Sequence, residues 1–231
     1  MSKNILIIGA SSSIGAAIIN LATADGHTIF ATSRSEDLAS EYDNFMHIDP
    51  NDNLDALDNL PEDIHGLVYC PGSINLKSLQ RLTLDEMKEE MDINFFGAFN
   101  ILKKVLPNLK KNEGASVVLF STVAVNTGMP MHSSIASSKA ALEGLAITLA
   151  AELAPRVAVN CVAPSIVNTK LAEHILSTDE RKQASADRHP LKTIGNPLAI
   201  AKTAYHLLDA KDNWITGQVI AVDGGLSSLK T

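Results

Sequence analysis

Short apolar runs alternate with longer segments of helical spacing from one end of the chain to the other. The runs are residues 5–8, 28–32, 45–48, 67–70, 116–120, 157–161 and 219–222, most of them rich in Ile, Val and Leu. Such runs suit strands buried on both faces. Between the first two, Ile14, Ala17, Ile18, Leu21 and Ala22 fall on one helical face that stops at Asp25-Gly26. Thr83 with Glu86 three residues later forms a capping box, opening a long helix that carries Pro107 near its end. Residues 133–153 predict a helix ended by Pro155, and Asn196-Pro197 start another that runs to about residue 208.

Strand and helix in alternation predict an α/β fold: a Rossmann-type, doubly wound parallel sheet of about seven strands with helices on both faces. No repeat, low-complexity stretch or linker divides it, so residues 1–231 are read as one domain. The segment 165–196 is irregular and mixed in charge. It follows the carboxyl end of the sixth strand, where a substrate lid is expected.

The stretch Gly9-Ala-Ser-Ser-Ser-Ile-Gly15 is the informative turn. A strand precedes it and a helix follows. Gly9 allows the sharp reversal, and Ser11, Ser12 and Ser13 supply hydroxyls where a helix needs N-caps. The free N–H groups and positive dipole end of that helix are suited to a phosphate, and the unit as a whole to a dinucleotide. At the end of the second strand, a carboxylate would bind the ribose hydroxyl of NAD. The chain has Ser33 and the basic Arg34 there, which favours NADP(H); the alternative is an ordinary exposed arginine in a turn.

Composition narrows the function classes. The hydrophobic fraction of 45% and charged fraction of 19% are those of a globular protein. A net charge of −7 with no basic patch argues against nucleic-acid or anionic-membrane partners. Cys70 and Cys161 lie apart in apolar runs, and the seven histidines show no metal-ligand spacing, so no metal is expected. The start lacks a secretory layout, and no apolar stretch reaches membrane-spanning length, which makes the cytoplasm the expected compartment.

The glycine turn resembles the cofactor loop of the short-chain dehydrogenase/reductase family, G-x-x-x-G-x-G. Gly9 and Gly15 match, and Ser13 stands where the middle glycine belongs. The resemblance continues through Asn94 in Asp92-Ile-Asn-Phe-Phe-Gly97, Ser138-Lys-Ala-Ala-Leu142, Val159-Asn-Cys-Val-Ala-Pro164, Ile215-Thr-Gly-Gln218 and Val222-Asp-Gly-Gly225. It implies an oxidoreductase acting with NADP(H) on a carbonyl or activated alkene, as a homotetramer or homodimer. The cofactor would be bound by Gly9, Ser11–Ser13, Ile14 and Gly15, with Asp49 at the adenine; the alternative for Asp49 is a cap on the following turn. Gly72 is what remains of the family's Asn-Asn-Ala-Gly. Pro164, Ile166 and Thr169 would also bind the cofactor, with Thr169 on the nicotinamide carboxamide.

Four groups carry the family's chemistry. Lys139 would bind the ribose hydroxyls, Thr122, seventeen residues earlier, would steady a carbonyl, and Asn94 would relay protons. The fourth is a tyrosine four residues before the lysine, and here that position is Ile135. An isoleucine cannot donate a proton. Two readings follow: a reductase with another donor, or a nucleotide-binding protein without turnover. His132, seven residues before Lys139, lies on the same helical face if the helix already covers it. An imidazole there can act as a general acid. The alternative is a solvated histidine where the helix begins.

Overall fold

The computed structural model describes residues 2–209 and 213–230. Seven parallel strands form one sheet in the order β3-β2-β1-β4-β5-β6-β7. They are β1 (Asn4–Ile8), β2 (Thr28–Ser33), β3 (Phe45–His47), β4 (Gly66–Tyr69), β5 (Ala115–Phe120), β6 (Val157–Pro164) and β7 (Val219–Val222). The order reverses between β1 and β4, so the crevice beyond the carboxyl ends of those strands is where a ligand binds in such sheets.

Helices α1 (Ser13–Ala24) and α6 (Pro197–Leu207) cover one face; α2 (Leu84–Met91), α3 (Gly97–Lys110) and α4 (Ser133–Leu153) cover the other. β1 shows why the strands are apolar throughout. Leu6 and Ile8 pack among Ile101, Val105 and Leu142 on the α3/α4 side. Ile5 and Ile7 pack among Ile18, Ala22 and Ala204 on the α1/α6 side. Among the described residues no helix is long and apolar enough to cross a membrane.

Two expectations change in detail. The helix opened by the Thr83/Glu86 capping box is not continuous, because a π-turn at Asp92–Phe96 separates α2 from α3. The Asn94 side chain inserts there, its Nδ2 donating to Glu90 O at 3.0 Å, and an inserted side chain is a recognised cause of a widened turn. The segment after β6 is not wholly irregular. It holds a 3₁₀ turn (Lys170–Ala172) and the helix α5 (Asp179–Asp187). The sequence of α5, Asp-Glu-Arg-Lys-Gln-Ala-Ser-Ala-Asp, has no apolar stripe to announce a helix. The base of the segment is closed: Asn168 N donates to Gly195 O at 2.9 Å and Gly195 N to Ile166 O at 2.9 Å.

Candidate cofactor and active site

The turn after β1 is built by contacts that exclude side chains. Gly9 has φ 83°, and the N–H groups of Gly9 and Ala10 both donate to Thr32 O. A Cβ on Gly9 would sit 3.1 Å from Pro71. Ser12 is the N-cap of α1, its Oγ accepting from Gly15 N at 2.9 Å. A Cβ on Gly15 would lie 2.6 Å from Gly9 O, so only glycine lets α1 start this close to the turn. Ser13 is the first residue of α1, and its φ is not positive. A side chain is therefore tolerated where the family pattern has its middle glycine.

The amino end of α1 opens on a cavity of about 880 Å³ at the carboxyl ends of the strands. Every site residue expected from the sequence lies on its wall except Gly15, which works from behind by holding α1 against the turn. Ser33 and Arg34 follow β2, and Asp49 follows β3. Arg34 is exposed and makes no ion pair among the described residues. Asp49 caps the next turn through its Oδ1, which accepts from Asn51 N at 3.0 Å, while still facing the cavity. The hydroxyl of Thr32, on the same wall, is buried without a partner among the described residues.

At the other end lie Gly72, Asn94, Thr122, His132, Ile135, Lys139, Pro164, Ile166 and Thr169. Lys139 is 6% exposed and makes no hydrogen bond or ion pair among the described residues. Burial lowers its pKa to about 8, and the neighbouring Cys161, Glu90 and Cys70 oppose that shift. It meets Asn94 at Gly72, where a Cβ would be 3.3 Å from Asn94 Oδ1 and 3.7 Å from Lys139 Nζ. Thr122 caps a 3₁₀ turn, its Oγ1 accepting from Ala124 N at 3.3 Å, and Thr169 caps another. Helix α4 begins at Ser133, so His132 is its N-cap rather than part of its first turn. Its Nδ1 is bonded to Pro130 O at 2.7 Å. Ile135 is 5% exposed, one turn before Lys139.

Three polar pairs near these residues were not legible beforehand. Ser73 Oγ donates to Glu90 Oε1, Ser121 Oγ to Glu143 Oε1, and Ser165 Oγ is 2.9 Å from His189 Nε2. Glu90, Glu143 and His189 are all buried. Burial pushes the Glu143 carboxyl above the usual carboxylate range, partly offset by the Ser121 bond. The sequence held one usable signal, since Glu90 stands four residues before Asn94, on the helix face that must turn inward with it. His189 offered none, being a lone histidine in an irregular segment. Among the described residues, no group of three or more His, Cys, Asp or Glu is placed to hold a metal ion.

A doubly wound parallel sheet with this turn and this crevice defines a Rossmann-type α/β protein. The profile described as enoyl-(acyl carrier protein) reductase matches residues 9–227. The 3-oxoacyl-(acyl-carrier-protein) reductase FabG of Thermotoga maritima is 32% identical over 97% of each chain. Among solved structures, ligand-free aldohexose dehydrogenase of Thermoplasma acidophilum is 25% identical, with TM-score 0.90 over 100% of this chain and 97% of that one. ElxO with NADP bound is 26% identical, with TM-score 0.88 over 99% and 100%. The chain belongs to the short-chain dehydrogenase/reductase family of oxidoreductases.

Proposed function

We propose that this protein is an NADP(H)-dependent oxidoreductase acting on a carbonyl or an activated alkene. The observation that carries this reading is Lys139, a buried lysine with no hydrogen-bond or ion-pair partner among the described residues, on the wall of a cavity that also takes in the amino end of α1. The wall suits the dinucleotide: two glycines let the backbone approach closely, and the buried Thr32 hydroxyl lacks a partner among the described residues. The Gly9–Gly15 turn with Ser11, Ser12, Ser13 and Ile14 holds the pyrophosphate, Arg34 beside Ser33 takes the 2′-phosphate, and Asp49 meets the adenine. Lys139 holds the ribose hydroxyls near Gly72, while Pro164, Ile166 and Thr169 enclose the nicotinamide.

When bound, the nicotinamide supplies or accepts a hydride. Thr122 orients the substrate oxygen, Asn94 orders the proton path beside Lys139, and Ile135 contributes only bulk. His132 is the proton donor in this reading. Its ring is tethered through Nδ1 to Pro130 O, and Nε2 has no partner among the described residues. The segment 165–196 closes over the substrate as a lid. The names of the relatives direct the first substrates to be tried toward 3-oxoacyl and enoyl thioesters. We further propose a cytoplasmic homo-oligomer.

The test is a titration with NADPH, followed by its consumption over a panel of carbonyls and enoyl thioesters. Turnover is expected, and His132→Ala should cut it by about 10² or more. Ile135 favours a second reading, a nucleotide-binding protein without turnover. Tight NADPH binding with no consumption over the panel would establish that one instead.

A further inference from the structure

Glu90 is a carboxylate in an unusual place. It lies on α2, 1% exposed, and its Oε2 is buried with no hydrogen-bond partner among the described residues. An orphaned buried carboxylate oxygen is destabilising and calls for a role. Its other oxygen, Oε1, accepts from the hydroxyl of Ser73. Ser73 is on the cavity wall and Glu90 is not. Asn94 fixes this arrangement, its Nδ2 donating to Ser73 Oγ at 3.0 Å and its Oδ1 accepting from Ser73 N at 3.3 Å. Next to Ser73 is Gly72, the point at which Lys139 Nζ and Asn94 Oδ1 converge. Lys139 has no bonded partner among the described residues.

We propose that Glu90 is the proton partner of Lys139, with the hydroxyl of Ser73 as the bridge between them across the cavity corner at Gly72. The inference rests on the reading of Lys139 as the group that holds the cofactor. When Lys139 gives up its proton, Ser73 Oγ takes it and passes its own hydroxyl proton to Glu90 Oε1; recharging Lys139 reverses both transfers. Only N–H and O–H bonds change. In the resting site the Glu90 charge favours the ammonium form. The charged or titratable groups facing Lys139 are Glu90 from α2, Cys161 from β6 and Cys70 after β4. Burial pushes both thiols up to about 12, so they are neutral through the working range.

The decisive measurement is the titration of Lys139 in the ligand-free protein, followed by NMR of reductively ¹³C-methylated lysines and assigned with Lys139→Arg. Glu90→Gln keeps the shape and removes the charge, and should lower the Lys139 midpoint by about one pH unit. Glu90→Asp should restore most of it. An unchanged midpoint in Glu90→Gln would overturn the pairing, whether or not the protein binds a nucleotide. Ser73→Ala keeps the charge and breaks the bridge. It should leave the midpoint near that of the wild type while lowering kcat about tenfold or more at constant KM, with a larger solvent isotope effect. Full kcat in Ser73→Ala would overturn the bridge. Failure of NADPH to bind the wild type would instead refute the cofactor reading, and the ligand-free titration still decides the pair.

Discussion

Ile135 and Lys139 stand one turn apart on the buried side of α4, and both face the same cavity. A hydroxyl-bearing ring at 135 would lie next to an ammonium that lowers its pKa. Ile135→Tyr should therefore raise carbonyl reduction by about 10² or more, measured as NADPH consumed. A variant that binds NADPH and shows no gain would mean that position 135 does not reach the reacting oxygen.

Arg34 is exposed at the end of β2, has no ion pair among the described residues, and sits beside Ser33 rather than a carboxylate. A charge-assisted bond to a phosphate contributes about 1.5–3 kcal/mol, or roughly ten- to a hundredfold in affinity. Arg34→Ala should weaken NADPH by that factor and leave NADH nearly unchanged. Fluorescence titration with both nucleotides reads the difference, and equal losses would remove the basis for NADP(H) preference.

The lowered pKa of Lys139 makes two quantities run in opposite directions with pH. A nucleotide held by the ammonium form binds fully below about 8 and loses affinity as pH rises through that value. The stability of the ligand-free protein has the other sign. The unfolded chain keeps the lysine proton to higher pH, so folding is favoured as pH climbs from about 8 toward the ordinary lysine value. Melting curves with and without NADPH should therefore converge as pH rises. The convergence should vanish in Lys139→Met, and a pH-independent gap in the wild type would refute the assignment.

The sheet and its glycine turn were legible because burial on both faces leaves runs such as 5–8 with no polar residue. The cavity wall was legible because each strand's carboxyl end carries its own marker: Ser12, Arg34, Asp49, Gly72, Thr122 or Pro164. Helix α5 was hidden because helix propensity without an apolar face leaves no periodicity. Glu90 was legible only through Asn94. A glutamate in an amphipathic helix reads as solvent-facing, and its place four residues before Asn94 is the one sign that it is buried. His132 was placed by spacing alone, which could not tell the first turn of a helix from its cap.

Trp214, the only tryptophan, is 98% exposed and adopts φ 53°, close to the edge strand β7. Phe96, Phe99 and Ile147 are exposed on the π-turn, α3 and α4. Exposed apolar groups of this size, together with an open sheet edge at β7, suit association with other copies of the chain. Light scattering at micromolar concentration should return the mass of a dimer or tetramer. If the β7 edge is one of the contacts, Trp214 fluorescence should shift to the red on dilution. A monomer mass throughout would refute the oligomer.

The hydrogen bonds that tie Asn168 and Ile166 to Gly195 turn the segment between them into an excursion with a fastened neck. Insertions, deletions or wholesale replacement beyond the neck leave the sheet's hydrogen bonding intact, because both ends of any replacement return to the same two backbone positions. If the segment is the substrate lid proposed above, it is a cartridge, exchangeable without rebuilding the housing. Swapping residues 170–194 between relatives, which leaves Thr169 in place, is the natural way to test whether substrate choice travels with the segment.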